Sequence, residues 1–197
     1  MSRLTIIVAA TKSNGIGQNG QLPWRLAKEM AYFARVTSNA PAGSSNAVIM
    51  GRNTWESIPA KFRPLRNRVN IVVTRNASYD VGSAHVEGSL EAAITRMKAE
   101  PQLSRGFIIG GVSLYAESLN LPPSSPVGFV DRILLTRISS PAFDECDVFM
   151  PDFLSRAGGW KITSHNALQE WVGFEVAEGV QQENGVSYEF QMWVREV

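Results

Sequence analysis

The chain has 197 residues, of which 44% are hydrophobic and 19% charged, as is typical of one folded domain over 1–197 with a sizeable core. Nineteen lysines and arginines against 18 acidic residues leave a net charge of +1, which argues against a protein that binds nucleic acid mainly through its phosphates. The single cysteine, Cys146, excludes an intrachain disulfide, and the two histidines, His85 and His165, lie too far apart in the sequence to indicate a metal site.

The first predicted element is a buried strand over residues 4–10, the longest apolar run and one too short to span a membrane. Residues 11–23 follow as a long loop that contains three glycines. A loop of this length inside a compact domain is typically functional. Residues 24–36 then have the spacing of an amphipathic helix.

Beyond this helix, strand-like and helix-like segments alternate, and the chain then continues in strands. The predicted strands are 47–50, 69–74, 107–109, 130–138, 171–176 and 187–194. The predicted helices are 54–58, a helix capped by Ser89 that runs to about Glu100, and 112–118, while 121–128 is a proline-rich loop. This order predicts an α/β fold with a mainly parallel sheet, helices on both faces and an antiparallel C-terminal hairpin.

Three of these strands end in residues suited to binding phosphate: 51–54 (GRNT), 74–75 (TR) and 110–113 (GGVS). In an open α/β sheet, ligands bind beyond the carboxyl ends of the strands, where helix N-termini present free N–H groups to anions. Each end alone is better interpreted as a plain turn or a solvated arginine. Together they favour a dinucleotide, and the two arginines favour NADP over NAD, although the usual fingerprint, a G-x-G-x-x-G turn that opens a helix, is not found: the glycines of 15–20 (GIGQNG) precede further loop instead of a helix.

The helix over 24–36 carries a carboxylate on its apolar side. On a helical wheel, Glu29 falls within the inward stripe, which consists of Leu26, Met30, Phe33 and Val36, whereas Lys28, Tyr32 and Arg35 face solvent. A carboxylate that faces a core is costly unless it is paired, and burial would raise its pKa above about 4.3. An ion pair with Arg25, four residues earlier, is the alternative. We favour a catalytic acid, because the sequence offers no Ser-His-Asp set.

Two further groups of residues have less specific patterns. Asp144, Glu145 and Asp147 form an acidic cluster that could hold a cation, but its spacing is not that of a calcium loop and a solvated turn is the better interpretation. The five tryptophans are typical core or edge residues. Only Trp24, next to the glycine-rich loop, is a candidate for function.

The motifs GIGQNGQLPW, Glu29, VIMGRNTWESIP, RPLRNR, VVTR, FIIGGVSLY, LLTRI and YEFQMW occur in this order. In this set the chain resembles the dihydrofolate reductase family, and most of all its fungal members, over nearly its whole length. The resemblance implies an eight-stranded, mainly parallel sheet. It also implies reduction of dihydrofolate to tetrahydrofolate by hydride transfer from NADPH, coupled to protonation of the pterin ring, with a role in one-carbon metabolism and inhibition by antifolates.

The resemblance also assigns substrate residues. Glu29 would hydrogen-bond the 2-amino group and the neighbouring ring nitrogen of the pterin, supported by Thr136, and Trp24 would reach the pterin through water. The loop around Leu22 would close over the nicotinamide, and Leu22 and Tyr115 complete the implied catalytic set. The other implied substrate contacts are Ile7, Val8, Met30, Phe33, Ile58, Leu65 and Ile109, with Arg68 on the glutamate carboxylate.

On the cofactor side, Thr54 would meet the diphosphate, and Arg52, Thr74 and Arg75 would meet the 2′-phosphate. The other implied cofactor residues are Ala9, Ile16, Gly17, Gly51, Asn53, Ile109, Gly110, Gly111, Ser113, Leu114 and Tyr115. A cis peptide bond would join Gly110 to Gly111. Three positions depart from the common family pattern, namely Asn53, where a cation often stands, Gly88, where some members have an arginine, and the aromatic Phe62 at the rim.

Two alternatives remain open at this stage. The related reductase of riboflavin synthesis would not require Glu29 or Arg68, and a non-catalytic nucleotide-binding module would leave the inward Glu29 without a purpose. We further expect a monomer that acts in the cytoplasm, with a mitochondrial pool left open, that binds neither nucleic acid nor membrane and that needs no metal.

Overall fold

The computed structural model describes residues 2–155 and 159–196. Its five helices are α1 (Ala27–Ser38), α2 (Arg52–Ser57), α3 (Leu90–Ala99), α4 (Val112–Asn120) and α5 (His165–Val172). Its strands are β1 (Ser2–Thr11), β2 (Gly15–Gly17), β3 (Ser45–Gly51), β4 (Arg68–Val73), β5 (His85–Glu87), β6 (Leu103–Ile108), β7 (Gly128–Ser140), β8 (Val148–Phe149), β9 (Trp160–Ile162), β10 (Gln181–Glu183) and β11 (Val186–Arg195). No helix among these residues is both long and apolar enough to cross a membrane.

The main sheet has the strand order β10-β11-β7-β1-β6-β3-β4-β5, and β9 pairs with β11 beside this path. The pairs β1–β6, β6–β3, β3–β4 and β4–β5 are parallel, whereas β10–β11, β11–β7 and β9–β11 are antiparallel. The eight strands on the path and the antiparallel C-terminal hairpin confirm the predicted α/β fold class. The alternation of strands with helices up to α4 explains the parallel pairs, because a parallel connection needs a crossover.

The chain folds into two compact units. Unit 1 comprises Met1–Ile6 and Thr37–Val130, and unit 2 comprises Ile7–Val36 and Asp131–Val197. The expectation of one domain over 1–197 stays a prediction.

Unit 1 contains the parallel strands β3, β4, β5 and β6 with the helices α2, α3 and α4. Ile49, Ile71 and Ile108 in its strands are fully buried, as continuous apolar runs predict for strands covered on both faces. Helix α3 begins as expected, since the Ser89 side chain accepts a hydrogen bond from the backbone N–H of Ala92 at 3.1 Å.

Unit 2 contains most of α1 and of β7, the β10–β11 hairpin and α5. The strand predicted over 171–176 is wrong, because Trp171 and Val172 form the last turn of α5. Ser164 caps the start of this helix, and Gly173 ends it in the left-handed conformation at φ 79°. The apolar residues of 171–176 have the alternation of a strand, but Ser164 and Gly173 are typical helix caps and indicate the helix instead.

Two other predicted boundaries also changed. The loop over 11–23 contains the short strand β2, which pairs with β8. Helix α1 begins at Ala27 instead of residue 24, so that Trp24 precedes it. The consequence is that Trp24 belongs to the glycine-rich loop, while Glu29 lies in the first turn of the helix.

Candidate active site

Glu29 is a buried acid of unit 2. Its side chain is 6% exposed, and its Oε1 accepts a hydrogen bond of 2.9 Å from the Thr136 hydroxyl. Thr136 lies on β7 and is itself buried, so the partner is held by a strand in the interior of the unit. Glu29 therefore faces inward, as the helical wheel predicts, and its partner is a neutral hydroxyl and not Arg25, which is exposed.

The environment of Glu29 favours its protonated form. Burial is the largest influence and raises the pKa of Glu29 from 4.5 to about 7. The Thr136 hydrogen bond opposes this by lowering the pKa, and the negative charge of Glu183 raises it further. At neutral pH the acid is therefore divided between its protonated and charged forms, as a proton donor requires.

The buried face of α1 differs from the predicted one. Tyr32, expected in solvent, is 8% exposed, whereas Met30, expected in the core, is 49% exposed. Tyr32 packs against Phe190 with ring centroids 4.1 Å apart, and this aromatic contact turns the helix so that Glu29, Tyr32 and Val36 share the buried stripe. Met30 is left as an accessible apolar side chain one residue from Glu29.

Trp24 has an unsatisfied donor. Its side chain is 4% exposed and lies edge-on to Phe143 with centroids 5.3 Å apart. Its Nε1 has no hydrogen-bond partner among the described residues. A buried donor without a partner is costly and marks a position where water or a ligand can accept the bond.

Two side chains from later in the chain, Arg137 and Asp147, hold the glycine-rich loop in place. Arg137 on β7 donates one Nη1 to the carbonyl of Thr11 at 2.5 Å and to Oδ1 of Asn14 at 3.0 Å. Asp147 accepts a hydrogen bond from the backbone N–H of Asn19 at 2.9 Å. Asp147 of the acidic cluster therefore helps to hold the glycine-rich loop. In the described residues, no group of three or more His, Cys, Asp or Glu side chains could hold a metal ion.

The side chain of Cys146 explains why residue 15 of the glycine-rich loop is a glycine. A Cβ added at Gly15 would fall 2.6 Å from the sulfur of Cys146, so a larger residue there would displace the pairing of β2 with β8. Burial raises the pKa of the Cys146 thiol, which favours its protonated form.

In unit 1 the three strand ends lie side by side. β3 is parallel to both β6 and β4, with Ile49 opposite Ile108 and Gly51 opposite Val73. The residues after these strands therefore emerge at one edge of the sheet, as the strand order requires. The sequence prediction that the three motifs share an edge is confirmed by this register.

The backbone around Gly110 and Gly111 is closely packed. A cis peptide bond joins the two glycines, and Gly110 has φ 118°, a conformation that favours glycine. The N–H of Gly51 donates to the carbonyl of Gly110 at 2.8 Å. A Cβ at Gly110 would lie 3.2 Å from the Thr54 hydroxyl and 3.3 Å from the Tyr115 hydroxyl, so the four residues Gly51, Thr54, Gly110 and Tyr115 converge.

The N-termini of α2 and α4 also belong to this edge of the sheet. Their capping residues are Gly51 and Gly111, and glycine has no side chain that could accept a hydrogen bond from the first N–H groups. The first N–H groups of a helix carry a partial positive charge that suits phosphate.

Five polar residues named in the sequence motifs follow the strands in unit 1. Arg52 forms an ion pair of 3.7 Å with Glu56, and both side chains are about half-exposed, so a ligand anion could compete for it. Arg75 is exposed, and the Thr74 hydroxyl accepts a bond from the N–H of Asn76 at 3.2 Å. Asn53 and Ser113 are also exposed, whereas Leu114 and Tyr115 are buried.

Arg68 is held in a fixed orientation at the start of β4. Its Nη1 donates to the Thr37 hydroxyl at 2.7 Å and its Nε to the carbonyl of Arg66 at 2.9 Å. Asn70 shapes the preceding turn by bonding both the N–H and the carbonyl of Leu65 at 2.9 Å. The guanidinium is half-buried, and burial lowers its pKa, so an anionic partner would stabilise its charge.

The remaining predicted contacts divide between the units. In unit 2, Ile7 and Val8 are buried, Ala9, Ile16, Gly17 and Phe33 are partly exposed, and Leu22 is 50% exposed. In unit 1, Ile58, Leu65 and Ile109 are partly exposed.

Sequence reasoning missed Glu183 and Arg137. Glu183 lies in the β10–β11 hairpin, and its carboxylate bonds the first N–H groups of α1. The dipeptide Asn184–Gly185, with φ values of 50° and 76°, is a hairpin signal that would have located this residue. Arg137 directly follows Thr136, but no local signal indicated that it reaches back to the loop.

The chain is similar to known proteins over almost its whole length. A family model described as dihydrofolate reductase matches residues 3–195. The dihydrofolate reductases of Pneumocystis carinii and Cryptococcus neoformans are 43% and 44% identical to it, over 98% and 97% of this chain and 97% and 94% of theirs. The solved structure of Schistosoma mansoni dihydrofolate reductase has a TM-score of 0.79 and 34% identity, with 98% of each chain covered. The resemblance to fungal members is thereby confirmed, and the chain belongs to the dihydrofolate reductase family.

Proposed function

We propose that this chain reduces dihydrofolate to tetrahydrofolate with NADPH, that Glu29 is its proton-providing acid and that antifolates inhibit it. The observation that carries the proposal is a buried carboxyl group with a pKa near 7 on a helix that begins just after a glycine-rich loop. Family membership supports the reaction class, and the implied nicotinamide cofactor supplies the hydride when it is bound.

Glu29 and its neighbours supply what the reaction requires of the protein. Thr136 fixes one carboxyl oxygen, which orients the group. The protonated acid can donate to a ring nitrogen of the substrate, and its charged form can accept from an amino group of the same ring. The unsatisfied Nε1 of Trp24 supports a role for this tryptophan in holding water or substrate near the acid.

The residues of unit 1 fit a phosphate-bearing dinucleotide. Gly51 and Gly111 lack side chains at two helix starts, and the space beside Gly110 is bounded by two hydroxyl groups. We assign the diphosphate to these helix starts and to Thr54. We assign the 2′-phosphate to Arg52, Thr74 and Arg75, because guanidinium groups bind phosphate strongly and NADH has no phosphate at that position.

The remaining assignments are those that the family resemblance implies. Arg68, held by Thr37, would bind the glutamate carboxylate of the substrate. The other substrate contacts proposed are Ile7, Val8, Met30, Phe33, Ile58, Leu65 and Ile109. The other cofactor contacts proposed are Ala9, Ile16, Gly17, Asn53, Ser113, Leu114 and Tyr115, and Leu22 would exclude water from the reacting rings. A cytoplasmic location and a monomeric state stay predictions from the sequence.

The test is consumption of NADPH by the purified protein when dihydrofolate is added. We expect turnover that an antifolate abolishes, and we expect Glu29→Gln to lose most of the rate near neutral pH, because an amide cannot supply the proton. Glu170→Gln, which removes an exposed carboxylate from α5, is the matched control and should retain full activity. Full activity of Glu29→Gln would contradict the role of the acid, and no turnover in the wild type would contradict the function.

A further inference from the structure

The N-terminus of α1, the helix that carries Glu29, lacks a local cap. The residue before it is Leu26, preceded by Arg25 and Trp24, and none of these side chains can accept a hydrogen bond from the first turn. The free N–H groups of the first turn must therefore find acceptors elsewhere.

Glu183 supplies the missing acceptor from 156 residues away. Its Oε1 accepts from the N–H of Ala27 at 2.6 Å and from the N–H of Lys28 at 3.2 Å, and its Oε2 lies 3.1 Å from the same Lys28 N–H. The carboxylate of the hairpin thus caps the helix with charged hydrogen bonds, the strong class for this position.

Neighbouring hairpin residues hold Glu183 in this orientation. The Tyr188 hydroxyl on β11 donates to Oε2 of Glu183 at 3.3 Å, and Asn184 Nδ2 donates to the carbonyl of Arg25 at 2.8 Å. The hairpin therefore contacts the chain through two adjacent residues, Glu183 and Asn184, at and just before the first turn of α1, which contains Glu29.

Resting on the proposed function, we propose that Glu183 is a positioning residue for Glu29: its carboxylate fixes the start of the helix that bears the acid and places a second negative charge close to it. The basic side chains nearest in sequence to this cap, Arg25 and Lys28, are exposed. The Glu183 carboxylate has two separate effects. As a cap it holds the helix start, and with it Glu29, in place, and as a negative charge it disfavours the ionised form of Glu29.

The titratable groups that face Glu29 come from three elements. They are Tyr32 on α1, Glu183 on β10 and Tyr188 on β11, with the neutral hydroxyl of Thr136 on β7. Burial raises the pKa of Tyr188 to about 12, and burial also raises the pKa of Tyr32, so both stay neutral at physiological pH. The negative charge of Glu183 raises the pKa of Glu29.

The test compares the pH profiles of kcat for the wild type, Glu183→Gln and Glu178→Gln. Glu183→Gln keeps an oxygen that can cap the helix but removes the charge, so the midpoint of its falling limb should move to lower pH. The ratio of its kcat to that of the wild type should fall roughly twofold to threefold between about pH 5.5 and about pH 8. Glu178→Gln removes an exposed carboxylate from the segment before the same hairpin and should leave the midpoint unchanged.

Two further variants separate charge from capping. Thr136→Val removes the bond that favours the charged acid, so its midpoint should move to higher pH, opposite to Glu183→Gln. Glu183→Asp keeps the charge and should stay closer to the wild-type midpoint than Glu183→Gln does.

A titration of isotope-labelled glutamate carboxyl groups by NMR, without substrate or cofactor, reads the same shift in the free protein. A lower melting temperature with an unmoved midpoint and an unmoved Glu29 titration would overturn the inference and leave Glu183 a purely structural cap. If instead the wild-type rate did not depend on pH near neutrality, the role proposed for Glu29 itself would fail, which distinguishes the two outcomes.

Discussion

At the scale of the residue, the chemistry of this chain is concentrated in one carboxyl group. Glu29 is almost fully buried, its partner is a neutral hydroxyl, and burial raises its pKa to about 7. Its inward orientation could be predicted from helical spacing alone. The exposure of Met30 and the burial of Tyr32 could not, because the rotation of α1 depends on packing of Tyr32 against Phe190, which is remote in sequence.

A buried acid of this kind should make the stability of the protein depend on pH. The pKa of Glu29 is higher in the folded chain than in the unfolded chain, so the folded state binds the proton more tightly. Its contribution to the free energy of unfolding is fully present below about pH 4.5 and is lost as the pH rises through about 7. This loss is on the order of 3 kcal/mol.

We therefore expect Glu29→Gln to be more stable than the wild type at about pH 8, by an amount of this order, and similar to it at about pH 4.5. Urea unfolding of the protein without ligands, at both pH values, measures the difference, with Glu170→Gln as the control. An equal difference at both pH values would show that Glu29 does not titrate as a buried acid.

At the scale of the element, strand ends and helix starts supply the groups proposed to bind the cofactor. The positions of β3, β4 and β6 could be predicted because their apolar runs are continuous and bounded by glycine or polar residues. Helix α5 and strand β10 were not predicted, although Ser164, Gly173 and the Asn184–Gly185 turn mark them. The apolar residues of 171–176 resemble a strand when these capping and turn residues are not considered, and the cap that Glu183 provides depends on β10.

The residues after β4 should determine which nicotinamide cofactor is preferred. We expect NADPH to raise the melting temperature of the wild type clearly more than NADH does, because Arg75 can bind the 2′-phosphate. Arg75→Ala should reduce the NADPH shift and leave the NADH shift nearly unchanged. Lys98→Ala, which removes a positive charge from the last turn of α3, should alter neither. Equal shifts for the two cofactors in the wild type would contradict the assignment.

At the scale of the whole molecule, composition accounts for the type of chemistry. One cysteine and two histidines in 197 residues leave few nucleophiles and metal ligands, which suits an enzyme whose electrons come from a bound cofactor. The fold class could be predicted from the order of elements, and the family from motifs that extend along the chain. The two compact units could not be predicted, because the division passes through the long strands β1 and β7 and leaves no linker in the sequence.

The most direct test of the central claim is the pH dependence of dihydrofolate-dependent NADPH oxidation at saturating cofactor and at substrate concentrations well below KM, where the rate reports the acid of the enzyme without substrate. If protonated Glu29 provides the proton, the wild-type rate should be constant at low pH and fall about tenfold per pH unit above a midpoint near the pKa of the acid, about 7. The residual rate of Glu29→Gln should show no such midpoint. A wild-type rate that stayed constant across neutral pH, or a Glu29→Gln profile with the same midpoint, would contradict the account.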